Sequence, residues 1–154
     1  MAAVRFRAAT GMMMDIKCNC LSLRQATRRV TQLYDHAMAD LDLRATQFQL
    51  LAMCKMHGPV TLNVLAELMV MDRATIGHNL RPLKARGLVR IAVGRDRRSR
   101  EVSVTKSGQA LLVRGLAIWR KVQHAFEKEF GEDQAAALRK TLQRISMMEF
   151  PYPG

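Results

Sequence analysis

A chain of 154 residues, 49% hydrophobic and 25% charged, has the size and composition of a single globular domain and is too apolar to be mainly disordered. Its 25 Lys and Arg against 13 Asp and Glu leave a net charge of +12, which points to a polyanionic partner, nucleic acid before anionic membrane. No apolar run reaches the about 18 residues that span a bilayer, Arg5 and Arg7 interrupt the place of a secretion signal, and three cysteines make no disulfide framework, so a cytoplasmic, nucleoid-associated protein is expected.

Residues 1–17 read as a flexible basic tail, in which Met12, Met13 and Met14 offer later starts than Met1. From Leu23 to Leu41, apolar residues recur at helical spacing and predict a long amphipathic helix over about 19–40. Thr46 is placed to cap a second helix that stops near His57-Gly58-Pro59. Thr61 opens a short third helix. Asp72 caps a fourth, from Arg73 to about Arg86, which Gly87 ends.

The period then changes to two. Val89, Ile91 and Val93, then Val102 and Val104, predict a β-hairpin whose tip carries Arg95, Arg97, Arg98 and Arg100. Ser107 is expected to cap a long helix that Gly131 breaks, and a last helix covers about Asp133 to Met148. The predicted fold is mainly α with a small β-hairpin wing (α+β): a winged helix-turn-helix over about 46–106. Dimerisation helices over about 19–40 and 107–148 flank it in one domain, 18–148, and residues 149–154 form a tail.

The charge is concentrated. Ten basic residues lie between Asp72 and Lys106, against the three acids Asp72, Asp96 and Glu101. With Ile76, Leu80 and Leu83 buried, the opposite side of the fourth helix collects Ala74, Thr75, Gly77, His78 and Arg81, small or hydrogen-bonding groups that a major groove accepts. Arg73, Thr75, His78 and Arg81 are the candidate major-groove residues. Arg97, Arg98 and Arg100 on a thin loop suit the electronegative minor groove, and Asp96 is expected to structure the wing. Pro82 removes a mid-helix donor, which predicts a kink or a locally opened turn.

The segment Met71-Asp72-Arg73-Ala74-Thr75-Ile76-Gly77-His78-Asn79-Leu80-Arg81-Pro82-Leu83-Lys84-Ala85-Arg86-Gly87-Leu88-Val89 resembles the recognition helix and first wing strand of the MarR family of bacterial transcription regulators. Asp96-Arg97-Arg98-Ser99-Arg100 is similar to that family's Asp-x-Arg wing motif, and Val104-Thr105-Lys106-Ser107-Gly108 to its strand-to-helix junction. The resemblance covers about residues 18–148. It implies a homodimer with interlocked terminal helices that binds double-stranded DNA at an inverted repeat, usually as a repressor. It also implies release by a small molecule, often phenolic or lipophilic, held between the dimer helices and the reading head. Gly77 and His78 depart from the larger or basic pair common there, so an operator sequence does not carry over.

Cys18 and Cys20 stand one residue apart before the first helix, where a thiol is activated. A redox switch, a soft-metal pair and ordinary apolar residues are the readings open there, and a cysteine in the first helix senses peroxide in some regulators similar to MarR. Cys54 is expected in the core. Tyr34, His57 and Trp119 are candidates for lining an effector pocket whose ligand is unknown. No paired carboxylates, phosphate-binding glycine loop, metal-ligand spacing or Ser/His/Asp set is present, so neither an enzyme nor a cofactor is expected. The alternatives to a sequence-specific regulator are a nucleoid-type protein that coats DNA without preference and a module that binds an acidic protein.

Overall fold

A computed structural model describes residues 17–94 and 96–151. The tail and start positions read in residues 1–16, and Arg95 at the hairpin tip, lie outside the described residues. Helix α1 spans Asn19–Met38 and ends in a 3-10 turn, Ala39–Leu41, closed by Asp42 in the left-handed region. Helix α2 (Ala45–His57), strand β1 (Val60–Thr61), helix α3 (Leu62–Met69) and helix α4 (Arg73–Ala85) follow. Strands β2 (Val89–Val93) and β3 (Arg100–Val104) lead into the long helix α5 (Lys106–Phe130) and helix α6 (Glu132–Ser146).

The sheet is antiparallel in the order β1-β3-β2. β2 and β3 form the expected hairpin, with Val89 opposite Val104 and Val93 opposite Arg100. β1 is an addition to the predicted elements: Val60 pairs with Val102 and Thr61 with Glu101. A two-residue strand has no periodicity of its own and exists only because β3 offers a free edge. Its pairing sets the beginning of α3 against the root of the wing.

One core joins the layers. Met38, Leu50, Leu51, Leu65, Ile76, Leu80, Leu83 and Val102 are fully buried, so α1, α2, α3, α4 and β3 close on one another. Each such side chain contributes about 1.5–3 kcal/mol by leaving water. Gly115 on α5 lets that helix lie against the ring of Phe48 on α2, where a Cβ would collide with the ring. Among the described residues no helix is long and apolar enough to cross a membrane.

Two caps differ from expectation. The N-cap of α2 is Arg44, not Thr46: its N–H donates to Gln47 Oε1 at 2.9 Å, and the next N–H, Ala45, donates to the Asp35 carboxylate of α1 at 2.7 Å. A carboxylate from another helix does the work of a local hydroxyl. The N-cap of α5 is Thr105, whose Oγ1 accepts from Gly108 N–H at 3.1 Å. Ser107 lies beside it, its hydroxyl 2.9 Å from that of Thr105 and donating to the Gly87 carbonyl at 2.9 Å. Helix α4 continues through Pro82 to Ala85, as its apolar spacing requires.

Candidate nucleic-acid interface

The turn before α4 is tight. Val70 adopts φ 51°, ψ 49°, and Met71 N–H donates to the Ala66 carbonyl at 2.9 Å. Asp72 then caps α4 twice over: Oδ1 accepts from Thr75 N–H at 2.8 Å and Oδ2 from the Thr75 hydroxyl at 2.6 Å. Those bonds, the hydroxyl first, hold the Asp72 carboxyl below its ordinary pKa. The Thr75 hydroxyl proton is thereby committed to the cap, which leaves the threonine methyl and an oxygen lone pair for an outside partner.

Ile76, Leu80 and Leu83 anchor α4 inward with no exposed surface. Arg73, Ala74, His78 and Arg81 are exposed. Gly77 lies among them, and a Cβ built there would meet nothing within 4 Å. No packing inside the chain requires that glycine, so what it leaves open is space on the outer face.

The tip of the wing is shaped by Asp96. Asp96 Oδ1 accepts from Arg98 N–H at 2.9 Å, and the Asp96 carbonyl accepts from Ser99 N–H and the Ser99 hydroxyl, each at 2.8 Å. This is an Asx-type turn, in which a short carboxylate replaces the backbone acceptor a turn would otherwise need. It leaves Arg97, Arg98 and Arg100 exposed, and among the described residues none of the three makes an ion pair.

Two residues that sequence reasoning passed over tie the reading head to α1. Arg86, just past α4, donates to the carbonyls of Leu41 (3.0 Å) and Asp42 at the end of α1. Asp35 on α1 caps α2 and pairs with Arg44 at 3.3 Å. The partners of Arg86 lie 44 and 45 residues away and those of Asp35 at the start of the next helix, so no local pattern marks them.

The remaining candidates separate. Cys18 is the N-cap of α1, its Sγ accepting from Leu21 N–H at 3.4 Å, and Cys20 is exposed in the first turn. Cys54 is buried, and burial pushes its thiol up to about 11. Tyr34 donates to Gln123 Oε1 at 2.7 Å at the edge of an apolar cleft of about 330 Å³ between α1, α5 and α6. Burial, then the Glu127 carboxylate, raises its pKa. His57 and Trp119 do not line that cleft: His57 is exposed where α2 ends, and Trp119 is exposed on α5. Of the three residues expected around one pocket, this cleft therefore takes in Tyr34 alone; α2 ends beside the sheet, while Tyr34 faces the long helices. No group of His, Cys, Asp and Glu among the described residues could hold a metal ion.

The MarR family profile matches residues 41–99, the span from the end of the 3-10 turn to the tip of the wing. The chain is similar to the HTH-type transcriptional repressor NicR of Pseudomonas putida, at 37% identity over 91 residues; the match spans 58% of this chain and 58% of that protein's length. It is also similar to the transcriptional regulator MOSR of M. tuberculosis, solved in complex with DNA, at 30% identity and a TM-score of 0.76, covering 84% of this chain and 94% of that one. A probable transcriptional regulator from Pseudomonas aeruginosa matches at 30% identity and a TM-score of 0.76, over 84% of this chain and 97% of the other.

Proposed function

This chain belongs to the MarR family of transcriptional regulators, and from that premise we propose that it is a homodimeric repressor that reads an inverted-repeat operator. The carrying observation is the recognition helix: a capped α4 holds Ile76, Leu80 and Leu83 in the core and turns Arg73, His78 and Arg81 outward beside an exposed arginine wing. Arg81 pairs with a guanine edge, Thr75 offers its methyl to thymine and His78 donates to a base acceptor. Arg97, Arg98 and Arg100 enter the minor groove or meet the backbone on either side of it. Such a protein works on the chromosome, in the cytoplasm.

Dimerisation is supported by the apolar surface the single chain leaves uncovered on its long helices. Leu21, Leu23 and Leu33 of α1 and Leu138 and Leu142 of α6 are all more than one-third exposed. Scattered apolar residues are ordinary, but exposed leucines gathered on two terminal helices are what a twofold interface covers. The test of the reading is selection from a randomised duplex library followed by sequencing. An enriched inverted repeat with half-sites about one helical turn (10–10.5 bp) apart is expected; enrichment of single, unpaired sites contradicts it.

The signal we place at Cys18 and Cys20. One thiolate attacks a peroxide oxygen to give a sulfenic acid and release water; the other displaces the second water and closes a disulfide. Both peroxide oxygens are reduced and both sulfurs oxidised. Closure takes Cys18 Sγ from the Leu21 N–H and undoes the first turn of α1, the end of the helix that carries the exposed Leu21 and Leu23. Peroxide should release the operator, thiol should restore binding, and release that persists when both cysteines are serine overturns this signal. The cleft at Tyr34 favours a second signal, an apolar small molecule that loosens α1 from α5 and α6.

A further inference from the structure

Pairing of β1 with β3 brings two distant stretches of chain together and opens a cleft of about 300 Å³ beside the recognition helix. Thr61 and Asn63 come from the corner between β1 and α3, Arg73 from the first turn of α4, and Arg98, Ser99 and Arg100 from the wing. The chemistry of its wall is one-sided. Three arginines line it against one carboxylate, Asp96, whose Oδ1 accepts the Arg98 N–H. Among the described residues, Arg73, Arg98 and Arg100 are in no ion pair. Thr61 Oγ1 accepts from Val64 N–H at 3.3 Å, which leaves its own hydrogen to give, and the exposed Asn63 amide adds two more donors. Three cationic donors against one carboxylate leave the wall net positive, which suits a tetrahedral oxyanion, with arginine forks supplying paired bonds.

We propose that this cleft seats one backbone phosphate of the bound duplex in each half-site, with Asn63 and Arg73 as its contacts from the helix side and Arg100 from the wing. Arg73 then positions α4 in the groove and reads no base, and Asn63 is a DNA contact that the basic pattern of the sequence does not mark. The cleft lies between the two reading elements, so the seated phosphate fixes the depth of the wing relative to α4. This assignment rests on the regulator reading above.

The test compares Asn63→Asp and Arg73→Gln with the parent on the selected operator and on scrambled DNA. Asn63→Asp places a like charge against the phosphate and should weaken both duplexes by a similar factor of about ten, leaving their ratio unchanged. Arg73→Gln should lower the slope of log affinity against log salt by about one. A methylphosphonate at one backbone position per half-site should reproduce the loss in the parent and add little in Asn63→Asp. Parent-like binding by Asn63→Asp, or a loss confined to the operator, overturns the proposal. Free phosphate is the other source of the same chemistry. If inorganic phosphate displaces duplex better than chloride at matched ionic strength, and Asn63→Asp abolishes the difference, the cleft belongs to the free ion and the backbone assignment falls. Equal affinity of the parent for both duplexes would instead remove the regulator reading, a result distinct from any difference between variant and parent.

Discussion

The guanidinium of Arg86, at the end of the recognition helix, donates to the main-chain oxygen of Leu41 at 3.0 Å and so ties α4 to the end of the first long helix. A second bond reaches the Asp42 carbonyl, and the Asp42 carboxylate lies 3.8 Å away. Hydrogen bonds from a charged donor to partly buried carbonyls outlast exposed ion pairs, so the carbonyl contacts set the joint and the carboxylate adds little. Arg86→Gln should lower unfolding free energy by about 1–2 kcal/mol and weaken operator binding without any change in salt slope. Urea titration and binding isotherms measure both; an unchanged operator affinity would show that the joint does not hold the reading angle.

Gly77 separates stability from binding. A Cβ there meets nothing within the chain, so Gly77→Ala should stabilise α4 by about 0.5–1 kcal/mol through helix propensity. The same methyl group stands one turn before Arg81, on its side of the helix, and should weaken the operator complex several-fold. A variant that is more stable and binds as well as the parent would mean that the groove does not approach the backbone at that position.

Arg81 and Arg98 should fail in different ways. Arg81→Ala should cost about 1–3 kcal/mol on the operator and little on scrambled DNA, as loss of a base contact does. Arg98→Ala should weaken both duplexes and reduce the salt dependence. Equal losses for Arg81→Ala on the two duplexes would make it a phosphate contact instead; unchanged binding by Arg98→Ala would remove it from the interface.

Cys54 gives a pH signature. Burial raises its folded-state pKa from 9.0 to about 11. The folded chain holds the proton through that interval and the unfolded chain releases it. The associated stability is therefore complete below about pH 9 and falls as pH rises toward 11. The urea midpoint should drop more steeply over that window in the parent than in Cys54→Ala, and a thiol reagent at neutral pH should modify Cys18 and Cys20 but leave Cys54 intact. Parallel pH profiles for the two proteins would show that the thiol is solvated.

Much of this architecture is legible because it is periodic or punctuated. Ile76, Leu80 and Leu83 keep helical spacing, Asp72 caps as its position predicts, and Gly87 (φ 67°) and Gly131 (φ 95°) end their helices where positive φ is needed. Alternating valines mark β2 and β3. What stayed hidden depends on tertiary partners. β1 is a strand only through Val102 and Glu101, and Arg44 is an N-cap because Asp35 reaches across from another helix. Thr105 and Ser107 are both hydroxyls near one helix start and both donate to the Gly87 carbonyl, but only Thr105 also accepts from the Gly108 N–H and so caps. At the interface, the exposed arginines were visible as charge, but the convergence of Asn63 and Arg73 with the wing follows from strand pairing alone.

The most direct test of the account is the ratio of affinities for the selected operator and a scrambled duplex of equal length and composition, measured at one fixed, near-physiological salt concentration. The account predicts a preference of at least about a thousandfold, as specific recognition requires. A ratio near one would contradict it and make the protein a basic coat that binds DNA without reading it.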